Sequence, residues 1–186
     1  MSRRASKGKT IRPTFFVFCE GETEEAYVKY LRTIYRLPIE IDPKIAGSKI
    51  TEKYITEYKK QKTVHPKDRT YLVYDCDVEA VLKKLQGIKN AHYLFSNPCF
   101  EIWYLLHYQN QTASLTSEVC ISKLSNHISN YKKGALNDKL KSKIVENKSK
   151  SISRAKTLSE FNNPSTNVYK FVEELDVIKN QQDNKS

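Results

Sequence analysis

Apolar and polar positions along the chain change their period several times, and each change marks an element. "TFFVFC", residues 14–19, is a continuous apolar run of strand length, as expected for a strand covered on both faces. It breaks at Glu20-Gly21-Glu22. From Thr23 the spacing lengthens to three and four residues through Ala26, Tyr27, Tyr30, Leu31, Ile34 and Tyr35, which predicts a helix with Thr23 as its N-cap. "LPIEIDPK" alternates between prolines as a short strand, and "SKITEKYITEYKKQ" sets Ile50, Tyr54, Ile55 and Tyr58 on one helical face. "RTYLVYDCD", residues 69–77, repeats the opening grammar: an apolar strand, acidic residues at its carboxyl end, then a helical stripe of Val78, Val81, Leu82 and Leu85 that stops at Gly87. A fourth strand, "AHYLFS" over 91–96, leads into "NPCFEIWYLLHY", whose Phe100, Trp103, Tyr104 and His107 share a helical face. Strands alternating with amphipathic helices predict an α/β fold with a mainly parallel sheet flanked by helices.

Beyond about residue 110 the strand pattern stops. Ile121, Leu124, Ile128 and Tyr131 mark one helix and Leu136, Leu140 and Ile144 a second, with "SISRAKTLSEF" and "STNVYKFVEELDVIK" as a third and fourth. Gly134 and "NNPS" separate them, and "ENKSKSIS" reads as an exposed loop. The chain therefore divides into a basic, flexible N-terminus at 1–12, an α/β core at 13–110, and a helical basic part at 111–186 packed on the same domain. No stretch approaches the roughly 18 to 20 apolar residues that span a bilayer, and "MSRRASKGKTIRP" lacks an apolar run after its positive charges. The expectation is a cytoplasmic protein with no membrane contact. Cys19, Cys76, Cys99 and Cys120 are scattered, with no CxxC pair and no His at ligand spacing, so they read as reduced core thiols rather than a zinc site or a disulfide framework.

Charge changes the picture. The chain carries 32 Lys and Arg against 21 Asp and Glu, a formal +11, and such an excess attracts polyanions. Nucleic acid is the leading partner class; the alternative is that the charge only solvates the surface. Basic residues crowd the second half, where Lys132, Lys133, Lys139, Lys141, Lys143 and Arg154 are the candidate nucleic-acid contacts.

In a parallel sheet, ligands gather at the carboxyl ends of strands. Glu20 ends one predicted strand, Asp75 and Asp77 end another, and Glu101 follows a third within a helical turn. If the strands are neighbours, the carboxylates converge, and Mg²⁺, a hard cation satisfied by few carboxylates and several waters, is the natural neutraliser. Asp-x-Asp alone is not specific. Glycosyltransferases use it, and phosphatases of the haloacid dehalogenase type want Thr or Val two positions after the second Asp, where this chain has Glu79. The same aspartates would also cap the helix near Val78. Glu20-Gly21-Glu22 has two readings as well, a catalytic strand end or a helix start. Glu101, set among aromatic residues, needs a partner when buried, either a metal or a basic side chain. Asn97 either orients a phosphate or makes an Asn-Pro turn. Trp103 and His107 read as core, and no catalytic triad is visible.

Together the motifs say more. A strand ending in Glu-Gly, an acidic helix start and a later strand ending in Asp-x-Asp resemble the topoisomerase-primase (Toprim) domain. More closely, "VFCEGETEEAYVKYL", "LVYDCD", "FSNPCFEIWYLLHY" and "NPSTNVYKFVEEL" resemble the RloB-like family of small bacterial Toprim proteins. The resemblance implies a general acid or base at Glu20 and Mg²⁺ or Mn²⁺ ligands at Asp75 and Asp77, with Glu20 as a further metal-binding candidate. Glu24, in the family's Thr-Glu pair, and Glu101 join Glu20 as catalytic candidates. It further implies a role in defence against phage or foreign DNA, commonly beside an ATP-hydrolysing partner protein, with metal-dependent nuclease action on DNA or RNA. The alternative is a non-catalytic, nucleic-acid-binding or regulatory subunit of an ATPase complex on the same scaffold.

Overall fold

Five strands, Thr14–Cys19 (β1), Glu40–Ile45 (β2), Arg69–Asp75 (β3), His92–Asn97 (β4) and Ser165–Thr166 (β5), form one sheet in the order β2-β1-β3-β4-β5. The computed structural model describes residues 11–185, so residues 1–10 of the expected basic N-terminus lie outside the described residues. The first four strands run parallel and β5 pairs antiparallel to β4. This is the Toprim-like α/β architecture expected from the alternation of elements.

β1 reads as unbroken apolar sequence because both its faces are covered. Phe15, Val17 and Cys19 enter one core, Phe16 and Phe18 the other. The second core is closed by helices Glu52–Lys60 (α2) and Glu79–Gln86 (α3), through Ile55 and Leu85. The first, larger core is closed by Glu22–Tyr35 (α1), Glu101–Leu106 (α4), Ser117–His127 (α5), Asp138–Glu146 (α6), Lys148–Lys156 (α7) and Tyr169–Asp183 (α8), so the C-terminal helices pack on the same sheet face as α1 and α4. Tyr27, Val28, Leu31 and Tyr35 are the buried stripe of α1. Each such side chain contributes roughly 1.5–3 kcal/mol when withdrawn from water. Helix α4 is buried on every side, which is why its sequence is apolar all round apart from Glu101.

Three expectations are corrected. Thr23 is not the N-cap: α1 starts at Glu22 with Gly21 in extended conformation as its cap, and the Thr23 hydroxyl is used across the tertiary structure instead. "ENKSKSIS" is not a loop. Helix α6 ends at Glu146 and α7 begins at Lys148, with Asn147 at the junction donating its amide to the His107 carbonyl at 2.8 Å. The buried positions of α7 are Ser151 and Ala155, too small and too polar to register as an apolar stripe. Strand structure also does not end near residue 110, since β5 seals the edge of β4. It escapes the pattern because it has only two residues and is held by polar contacts, Ser96 Oγ to Thr166 Oγ1 at 3.0 Å and the Phe95 N–H donating to Asn167 Oδ1 at 2.7 Å.

Trp103 and His107 are core residues as expected. The His107 Nδ1 lies 2.8 Å from the Trp103 carbonyl and Nε2 lies 3.1 Å from the Ser151 hydroxyl. Burial pushes its pKa down to about 4, so the ring is neutral and holds α4 to α7 as a hydrogen-bonded wedge. All four cysteines are free and buried. Among the described residues, no helix is long and apolar enough to cross a membrane.

Candidate active site

The chain leaves β1 for β2 on one side and returns to β3 on the other, so the sheet order reverses between β1 and β3. That reversal splays the following segments apart and opens a crevice at the carboxyl ends of the two strands. Glu20 follows β1 and Asp75 ends β3. The Glu20 N–H donates to the Val73 carbonyl at 3.0 Å, and the Glu20 carboxylate accepts the Asp75 N–H at 2.8 Å. The crevice is a cleft of about 260 Å³ walled by Glu20, Glu22, Thr23, Glu24, Asp75, Glu101 and Lys133.

Each acid is delivered by a different element. Asp75 follows Tyr71 and Val73 on the strand face that meets α1 and α4. Its Oδ1 is buried with no hydrogen-bond partner. Burial, then the charges of Glu24 and Glu20, push its pKa up to about 9. Glu24 sits in the first turn of α1, where its carboxylate accepts the Gly21 N–H at 3.0 Å. Burial lifts it to about 7, the Gly21 hydrogen bond working the other way and the charges of Glu101 and Glu20 adding to the rise. Glu101 opens α4 and is only 1% exposed. Its Oε1 accepts the Tyr131 hydroxyl at 3.0 Å and the Thr23 hydroxyl at 3.4 Å, and its Oε2 lies 4.0 Å from Lys133 Nζ. Lys133 is thus present as the basic partner that burial of Glu101 led one to expect.

The donor set is that of a hard cation: carboxylate oxygens only, one of them buried and unsatisfied. Among the described residues, no three His, Cys, Asp or Glu side chains already converge as a ready ligand set. The reason is visible in the hydrogen bonds. Glu20 is turned onto the Asp75 amide and Glu24 onto the Gly21 amide, each held by a single backbone N–H. Both are terminal carboxylates that re-aim by side-chain rotation alone.

Of the residues expected at the site, Glu20, Glu24, Asp75 and Glu101 come together. Asp77 does not line the cleft; β3 ends at Asp75, and Asp77 is exposed in the bend that follows. Lys133 enters the acidic cleft itself, while Lys132 beside it faces solvent. On α6, Lys139 is exposed, Lys141 pairs with Asp138 at 3.1 Å and Lys143 with Glu146 at 2.8 Å. Arg154 is tied down: its Nη1 donates to the Leu106 carbonyl at 2.6 Å, capping the end of α4. Asn97 is spent on structure too, donating its amide to the Phe161 carbonyl at 3.0 Å. Three residues that sequence reasoning did not assign to the site support it: Thr23 lines the cleft, Tyr131 holds Glu101 from behind and Gly134 holds Thr23. Nothing local marks them, because their partners are far away in sequence.

A scan against family models matches the RloB-like protein family over residues 15–175. Neither the curated proteins nor the solved structures contain a match. The matched span begins in β1, ends in α8 and includes every element that delivers an acid or a cation to the cleft. Most of the chain, its Toprim-like sheet and its acidic switch-point cleft included, is thus accounted for by one family: the protein belongs to the RloB-like family.

Proposed function

We propose that the cleft between β1 and β3 is the active site of a metal-dependent phosphodiesterase acting on nucleic acid, in the setting of defence against foreign DNA and beside an ATP-hydrolysing partner. One observation carries the reading: the Asp75 Oδ1 is buried and unpartnered in a cleft that brings Glu20, Glu24 and Glu101 around it. An unsatisfied buried carboxylate oxygen is destabilising, and such perturbed acids in a cleft are characteristic of functional sites. Asp75 and Glu20 would hold Mg²⁺ or Mn²⁺, with Asp77 in reach of the mouth only after movement of its bend. When bound, the ion would supply positive charge to the scissile phosphate and acidify an attacking water. Glu24, with a carboxyl near neutrality, and Glu20, exposed at the mouth, are placed to take or give the proton. The remaining cationic side chains offer contacts to the nucleic-acid backbone rather than to bases.

The test uses purified protein, with and without its genomic neighbour, on labelled DNA and RNA in Mg²⁺ or Mn²⁺. Cleavage should appear with one of these ions and vanish in EDTA. Asp75→Asn and Glu20→Gln should each lower it by at least about 100-fold. Wild-type cleavage by both variants would overturn the assignment. The competing reading, a non-catalytic subunit, draws support from the complete pairing of Glu101; it predicts metal-independent nucleic-acid binding and no cleavage under any of these conditions.

A further inference from the structure

The segment between α5 and α6 does more than connect them. Gly134 sits with φ +75°, and its N–H donates to the Thr23 hydroxyl at 3.1 Å. A Cβ at this position would meet the Glu22 Cβ at 2.9 Å and the Glu22 carboxylate at 3.0 Å. Only glycine therefore lets this segment lie directly on the first turn of α1. Three residues earlier, the Tyr131 hydroxyl is fixed to Glu101 at 3.0 Å. Lys133 lies between these two anchors, and its ammonium ends 4.0 Å from Glu101 Oε2 in the wall of the acidic cleft.

We propose that Lys133 is the residue that receives the substrate's phosphate in the cleft, and that Glu101, Tyr131 and Gly134 are positioning residues that hold Lys133 there rather than ligands of the metal. The proposal rests on the phosphodiesterase reading and specifies how that site takes its substrate. Glu101 is 1% exposed and its Oε1 already accepts two hydroxyls, leaving Oε2 turned toward the lysine. The Lys133 side chain is 58% exposed. One end of the pair is thus buried and held, the other exposed, so rotation of the lysine side chain would carry the ammonium from Glu101 to an incoming phosphate while the carboxylate stays in place. A polyanion approaching a cleft lined by acidic side chains is repelled by those that are ionised. A cation already at the wall offsets that repulsion at the point where the phosphodiester must enter, and in the reaction it faces the charge that develops on the phosphate. The chemical class this selects is a phosphodiester of a nucleic-acid backbone, met as a point charge without base contacts.

Two measurements test this, the second of them independent of the activity itself. In cleavage assays, Lys133→Ala should lower kcat/KM by about 100-fold, and Lys133→Arg should recover most of it. Mn²⁺ affinity should remain that of the wild type in both. Glu101→Gln should raise KM and leave Mn²⁺ affinity unchanged, in contrast to Asp75→Asn, which should lose it. Should Glu101→Gln fail to fold, Tyr131→Phe reads the same positioning, with cleavage down about three- to tenfold at unchanged Mn²⁺ affinity. The second arm measures binding of a fluorescein-labelled DNA duplex and its RNA counterpart to Asp75→Asn protein. Adding Lys133→Ala should weaken binding about tenfold and flatten the salt dependence by about one charge. Unchanged binding, or loss of Mn²⁺ affinity in Glu101→Gln, overturns the proposal. If no preparation cleaves any substrate, the phosphodiesterase reading fails, and the binding arm still decides whether Lys133 contacts phosphate.

Discussion

Asp75 shows what a single side chain gives up for this arrangement. Burial and neighbouring acids hold its carboxyl at about 9 in the folded, metal-free protein, against 3.8 for an ordinary aspartate. To fold at neutral pH the side chain must take up a proton that the unfolded chain does not carry. Because the folded pKa is the raised one, the associated stability is complete below about pH 4 and is lost progressively as pH rises toward 9. Asp75→Asn removes that demand. In EDTA at pH 7 the variant should be more stable than the wild type by about 2 kcal/mol, and the advantage should shrink to nothing near pH 4. Thermal melts across this range check it. At an aspartate that only capped a helix, the same change to Asn would leave stability nearly unaltered, since Asn caps about as well as Asp, and no gain would appear at pH 7. The sequence exposed this residue because a carboxylate ending an apolar strand is conspicuous. It could not expose the difference between Asp75 and Asp77, which depends on β3 ending at Asp75 and leaving Asp77 exposed in the bend that follows.

At the scale of elements, the decisive contact joins the α5–α6 segment to the start of α1. Gly134→Ala forces a Cβ into Glu22 at a left-handed backbone position and should cost about 1–3 kcal/mol in chemical denaturation. It should also lower cleavage to the level of Lys133→Ala, with the double variant no worse than either single one, since both disturb the same delivery of charge. Additive losses would separate the two residues. The strands were legible because period and length changed together: the run 14–19 is β1 residue for residue, and the runs at 69–77 and 91–96 overlap β3 and β4. Helix α7 was not, because its inward face is Ser151 and Ala155 and its place in the core is set by a hydrogen bond to His107. The role of Thr23 was misread for a related reason. Its sequence position suits a cap, but the tertiary partners Glu101 and Gly134 lie 78 and 111 residues away.

For the whole molecule, the formal +11 predicts how nucleic acid is met. Binding should weaken steeply with salt, log K falling by about 0.9 per phosphate neutralised for each unit of log salt. Charge reversal at Lys139, Lys141 and Lys143 should weaken all sequences alike and flatten that dependence; salt-insensitive affinity in a titration from low to moderate ionic strength would reduce the basic half to a solvated surface. The same half also finishes the fold. Asn167, the residue after β5, continues along the edge of β4, accepting the Phe95 N–H at 2.7 Å and donating to the Tyr93 carbonyl at 3.0 Å, while Ser165 and Thr166 pair with Asn97 and Ser96 beside it. During synthesis the acids at 20, 24, 75 and 101 emerge first, the cation at 133 later, and the strand that closes the sheet last. A chain that ended after α4 would therefore hold every acid of the cleft but neither Lys133 nor the strand that pairs with the edge of β4, so both the cation at the cleft wall and the closed sheet edge depend on the C-terminal half.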